Sequence, residues 1–149
     1  DPKVAKDIYD VRESLEALVC RLFCENATEN DIARCRSVYD ELMSAYRQGI
    51  ASDMIAAKAR FYDVLIAGAN NAEAERMLRS IHLRASQLRM ISLSNSERRT
   101  ASQEELSALL ESLVNRRAED AERLAKGHVR KAAQFALRMI EQLENESAS

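Results

Sequence analysis

Apolar residues recur every three to four positions along most of the chain, a period that predicts helices and not strands. The first helix is predicted from about Val4 to Asn26, with Ile8, Val11, Leu15, Leu18, Val19 and Leu22 on one face. The polar run NATEND ends it, and Thr28 with Asp31 has the spacing of a capping box for the second helix. That helix carries Ile32, Cys35, Val38, Tyr39, Leu42 and Tyr46 and stops at Gly49. Ser52 is placed to cap a third helix, and Asn71 a fourth that covers AEAERMLRSIHLRASQLRMISL. SLSNSERRTAS is the one turn-rich stretch, with room for a short helical piece. Ser102 and Glu105 make a second capping box, opening QEELSALLESLVNRR. After a break near Arg116 to Glu119, a long helix runs to about Asn145, followed by a frayed tail. Short connections between long amphipathic helices predict an all-α fold, an antiparallel bundle of about six helices forming a single domain over residues 1–149.

Composition supports this. One proline and three glycines leave little turn chemistry for an all-β fold, and a 149-residue chain is long enough to bury a sizeable core. With a net charge of −2 and arginines dispersed among carboxylates, the chain has no nucleic-acid-binding face of its own. No apolar run approaches the ~20 residues that span a bilayer, and no signal peptide opens the chain. The three cysteines, Cys20, Cys24 and Cys35, are expected as reduced, small core thiols in a cytoplasm, without a fourth ligand for a metal. A chain that opens at Asp1 without methionine is expected to be an excised part of a longer protein.

The chemistry lies in polar residues on apolar faces. On the third helix Met54, Phe61, Leu65 and Ala69 form a stripe at ~100° per residue, and Lys58 falls inside it with Tyr62 on its shoulder. On the last helix His128 is central to Ala121, Leu124, Ala132, Phe135 and Met139, and on the first Arg12 edges the Ile8, Leu15, Val19 face. The fifth helix presents an unbroken face of Leu106, Leu109, Leu110 and Leu113. A buried, unpaired ammonium is costly. Lys58 has three readings: it snorkels to the bundle's end, pairs with Glu16 or Glu105, or lines a solvated cavity that takes an anion. His128 alone would be read as a hydrogen-bonded core histidine; its convergence with Arg12 and Lys58 favours the cavity. Enzyme signatures are missing: no Gly-rich phosphate loop, no Gly-x-Ser-x-Gly elbow. The Glu-x-x-His pairs of di-iron bundles are also missing, since Arg79 and Ala125 stand three residues before His82 and His128.

Three segments in order, IYDVRESLEALVCRLFCENAT, ARFYDVLIAGANN and SQEELSALLESLVNRRAEDAERLAKGHV, resemble the FCD domain. That is the C-terminal effector-binding and dimerisation domain of the FadR subfamily of bacterial GntR-type transcription regulators. The resemblance covers nearly the whole chain. It implies an FCD-like bundle, a homodimer, a cytoplasmic location, and DNA contact only through an N-terminal winged-helix domain that is not in this chain. Many FCD domains hold a divalent metal through an Asp, a His four residues later and two further His. Those positions here are Lys58, Tyr62, Leu106 and His128, of which only His128 is a competent ligand. One imidazole does not hold a metal against water.

The expectation is therefore a metal-free, cofactor-free site for a small anionic, carboxylate-type metabolite. Arg12 would supply a bidentate contact, Lys58 the charge, Tyr62 and His128 hydrogen bonds, and Leu106 an apolar wall. The expected role is ligand sensing and dimerisation in a transcription regulator, not enzymatic. The alternative is a degenerate helical dimerisation domain with no effector; an all-α enzyme is a third reading without a supporting motif.

Overall fold

Helix α1, Pro2–Asn26, opens where the Asp1 side chain accepts a hydrogen bond from Lys3 N at 2.9 Å, with Pro2 in the first turn, where its missing N–H is not needed. The computed structural model describes residues 1–149, which form seven helices and no strand. The polar break is short. Ala27 turns extended, and the Thr28–Asp31 capping box is present in full: Asp31 N donates to Thr28 Oγ1 at 3.1 Å and Thr28 N to Asp31 Oδ2 at 2.9 Å. Helix α2, Glu29–Gln48, ends at Gly49 in the left-handed region at φ 73°.

Helix α3, Ala51–Ala69, corrects one expectation. Ile50 is its N-cap residue and supplies no side-chain bond, so Ser52 lies inside the first turn instead of capping it. Asn70 closes the helix at φ 51°, and Asn71 caps α4 as expected by accepting from Ala74 N at 2.9 Å. The predicted fourth helix is two: α4, Ala72–Arg84, and α5, Ser86–Leu93, with Ala85 between them. Ser86 Oγ donates to the Leu83 carbonyl at 3.0 Å, a local bond that competes with the helical ladder.

Helix α6, Ser96–Val114, starts earlier than Ser102 because Asn95 caps it, accepting from Arg98 N at 2.9 Å. Ser102 is therefore not a cap. It is buried in mid-helix within hydrogen-bond distance of Tyr46 Oη, at 3.2 Å. Most of the stretch expected to be turn-rich is helical. Helix α7, Ala118–Ser147, follows a break at Asn115 to Arg117, with Arg116 at φ 56°.

Helix α1 is central, touching α3, α4, α6 and α7. Its pairing with α7 is antiparallel: Arg21 bridges Glu122, Glu13 bridges Arg130, and Tyr9 packs with Val129, Ala132 and Ala136. The face α7 buries is made of small residues, Ala121, Ala125, Ala132 and Ala136 with His128 and Val129, while Leu124, Phe135 and Met139 are half-buried on its shoulders. The expected α7 stripe is thus rotated, because alanines let the two long helices approach closely. Phe23, Leu42, Met54, Phe61, Leu65, Leu78, Leu106, Leu109 and Leu113 fill the main core, and all three cysteines are buried and free. No helix is long and apolar enough to cross a membrane.

Candidate functional site

Inside this apolar bundle lie Arg12, Glu16, Lys58, Arg89, Arg98, Ser102 and His128, each at most 8% exposed. Five helices contribute: α1 gives Arg12 and Glu16, α3 Lys58, α5 Arg89, α6 Arg98 and Ser102, and α7 His128. Each projects inward because it shares a helical face with apolar residues, as Lys58 does with Met54, Phe61 and Leu65.

Two carboxylates organise the polar groups. Glu16 Oε1 accepts from Arg12 Nε and from His82 Nε2, both at 2.7 Å, and Glu16 Oε2 accepts from the Tyr62 hydroxyl at 2.8 Å. Burial alone would raise the Glu16 pKa, but Arg12 and then His82 outweigh it and hold it well below the usual carboxylate range. Glu105 receives a two-pronged contact from Arg98, at 2.7 and 2.8 Å, and accepts from His128 Nδ1 at 2.7 Å. Against its own burial, the hydrogen bonds from His128 and Arg98 bring Glu105 down to about 2.

His128 is pushed down to about 4, first by burial and then by Lys58, so it is neutral at pH 7. With Nδ1–H donating to Glu105, its Nε2 carries a lone pair. That lone pair accepts from Lys58 Nζ, 3.3 Å away. This contact decides among the readings of Lys58: it neither snorkels out nor pairs with Glu16 or Glu105, which serve Arg12 and Arg98 instead. Burial first, then Arg12 and Arg89, lower the Lys58 pKa well below its ordinary value.

Arg89 has no carboxylate at all. Its guanidinium lies 5.4 Å from the Tyr62 ring centroid, and its Nε and Nη2 are buried without a protein hydrogen-bond partner. Arg89, Arg12, Lys58 and Arg98 border one small, partly open cavity together with Ser92, Leu93, Arg99, Ser102 and Ala132. Its volume is about 10 Å³, room for one water at most. No anionic side chain lines it. A far larger groove of about 1080 Å³ runs over α6 and α7 and reaches Glu105 and His128, but carboxylates and cations alternate along it. The small cavity, not the groove, has a definite sign.

Of the residues expected in the site, Arg12 and Lys58 line the cavity, and His128 touches Lys58. Tyr62 reaches the cluster through Glu16 and lies beside Arg89. Leu106 is wholly buried in the apolar core and is not among the cavity's walls. Sequence reasoning missed Arg89, Arg98 and His82. It named Glu16 and Glu105 only as partners for Lys58.

The metal positions implied by the FCD resemblance do not fit a metal. No group of three or more His, Cys, Asp or Glu side chains is assembled, and the one imidazole available, His128, already has both nitrogens in contacts.

Fold and cluster together define an all-α bundle with a cationic, hydrogen-bonded centre. The chain belongs to the FCD domain family, whose model matches residues 7–131, a span that includes every residue of the cluster. FCD domains are effector-binding regulatory domains and not an enzyme family. A search of the curated proteins gave no match to this chain.

Proposed function

We propose that this FCD domain is the effector-sensing and dimerisation part of a GntR-type, FadR-subfamily transcription regulator of a bacterial cytoplasm. Its effector is a small organic acid, bound without metal at the cavity bordered by Arg12 and Lys58, with Tyr62 and His128 orienting those cations and Leu106 supplying apolar support behind them. DNA is contacted only by a winged-helix domain outside this chain. The supporting observation is Arg89: a buried guanidinium with no carboxylate, beside Lys58 in a cavity that has no anionic wall. A carboxylate supplies what these donors lack, and planar forks favour it over a point anion. Such a ligand switches DNA binding only through unequal affinity for two arrangements of the dimer.

One observation favours a second reading, a dimerisation domain that senses nothing: the cavity is only about 10 Å³. Native mass spectrometry with a thermal-shift panel of organic acids, sugar acids and acyl thioesters separates the two. The sensor reading expects a dimer mass, no bound metal and a rise in Tm with particular acids, since ligand at ~100 times Kd adds ~2.7 kcal/mol. Stoichiometric zinc or nickel overturns the metal-free site. A flat response across the panel favours the second reading.

A further inference from the structure

We infer that the ligand of this site is a dianion, two negative charges on a short scaffold, admitted by displacement of helix α5. The inference rests on the anion-binding reading above and goes beyond it by fixing the ligand's charge.

The charges facing the cavity can be balanced element by element. Helix α1 contributes Arg12 and Glu16, which pair with each other at 2.7 Å. Helix α6 contributes Arg98 and Glu105, which also pair at 2.7 Å, and Arg99, which is half-buried, donates to the Leu93 carbonyl at 2.8 Å and has its charge screened by solvent. Helix α3 adds Lys58 and the neutral Tyr62, α4 adds His82 bound to Glu16, α5 adds Arg89, and α7 adds neutral His128 bound to Glu105. Two buried basic groups are left without a carboxylate, Lys58 and Arg89. Both border the same cavity. Lys58 has only an imidazole lone pair to donate to, and the lowered pKa of its amine fits a site with no carboxylate to spare. A monoanion matches Arg89 and leaves Lys58 as a neutral amine, whereas a second negative charge beside Lys58 lets that amine regain its proton. A dianion matches both.

The route in is α5. It has eight residues, no side-chain cap at its start and only two buried residues, Arg89 and Leu93. Both lie on the cavity wall, as does Ser92, whose hydroxyl is buried without a protein partner. A helix so short holds little apolar surface in place. Moving it opens the cavity while carrying Arg89 and Ser92 as ligand contacts.

The test compares matched pairs on the purified domain by calorimetry at constant ionic strength, because exposed charges respond to salt alone. The probes are succinate against its monoamide, malonate against its monoamide, and inorganic phosphate at pH 8 against acetate. At least one dianion is expected to bind about tenfold or more tighter than its monoanionic partner. Arg89→Gln and Lys58→Gln should each reduce that preference to about twofold or less, while Arg123→Gln, on the outer face of α7, leaves it intact. Preference among dicarboxylates points to two separated carboxylates, and equal or better phosphate binding to one dianionic centre; either supports the charge assignment. Monoanions binding as tightly as dianions would overturn the inference and leave the acid-binding reading standing. No binding by any probe would sink both. The wild-type ratio decides the matter even if a variant fails to fold.

Discussion

Replacing Arg89 with methionine should make the empty domain more stable and unresponsive to its ligand. Arg89 is 7% exposed, and two of its nitrogens are buried with no protein partner. An unsatisfied buried donor costs ~1–3 kcal/mol, more when charged. Against this stands one cation–π contact with Tyr62 at 5.4 Å, worth ~0.5–2 kcal/mol. Methionine keeps most of the apolar stem and matches arginine in helix propensity, so the backbone of α5 is not a factor. Replacing buried ions by apolar residues of similar volume is worth ~1–4 kcal/mol, and after the ~0.5–2 kcal/mol lost with the cation–π contact the net is a gain of ~1 kcal/mol. For 149 residues, unfolding entropy of ~2.1 cal/mol/K per residue converts this to a Tm rise of roughly 3 °C. Far-UV circular dichroism melts of wild type and Arg89→Met, with and without succinate, measure both effects. A variant that melts several degrees below wild type would refute the reasoning, because Arg89 would then hold the fold together.

Three further outcomes follow from the same geometry. The His128 pKa is about 4 in the fold against an ordinary 6.5, so the unfolded chain binds more protons between those values. Stability is then whole above pH 6.5 and is lost as pH falls to about 4, by ~3 kcal/mol. Urea midpoints at pH 7, 5.5 and 4.5 should show this slope, and His128→Asn should reduce it, leaving the smaller part due to His82, whose pKa burial also lowers. Gly68→Ala should destabilise by ~1–3 kcal/mol despite alanine's better helix propensity, since a Cβ there overlaps the ring of Phe23, which is fully buried and has nowhere to go; denaturant melts check it. Anion binding should draw in protons, because a nearby negative charge raises the depressed Lys58 pKa. Calorimetry in two buffers of different ionisation enthalpy counts them, and equal heats in both would contradict it.

Helix α2 was legible at both ends because Thr28, Asp31 and Gly49 each satisfy a specific backbone group. The split at Ala85 was not, since alanine is the best helix former and the break comes from a single hydroxyl, that of Ser86, bonding back to Leu83. The start of α6 was misplaced for a related reason. Ser102 with Glu105 has the better capping-box sequence, yet the Glu105 carboxylate is engaged by Arg98 and His128. Asn95, without an acidic residue three positions on, caps instead. That error hid part of the site. With α6 begun at Ser96, Arg98, Ser102, Glu105 and Leu109 share one face; Ala85, Arg89 and Leu93 form an i, i+4, i+8 stripe whether α4 and α5 are joined or not, and Arg89 was overlooked on it. Arg12, Lys58 and His128 were visible because they interrupt apolar stripes, and although the α7 stripe is rotated from its expected place, His128 lies on both the expected and the observed face.

The arrangement at His128 explains why a lysine suits a place where the FCD resemblance implies a metal. A carboxylate that accepts from Nδ1–H orients an imidazole and makes Nε2 the better base, the same support that metal-bound histidines use. Here Glu105 gives that support, and the group delivered to Nε2 is the amine of Lys58, which becomes an ammonium when an anion restores its proton. A metal needs three or four ligands to stay, whereas an ammonium is held by its own covalent stem and needs only acceptors. His128 provides one acceptor. The other two N–H groups of a protonated Lys58 have no protein carboxylate in reach, and neither has Arg89. A site of this kind imposes no coordination geometry on its ligand. Selectivity falls instead to charge and to the planar arginine forks. That is why charge-matched pairs of acids, and not a panel of metals, are the informative probes of this domain.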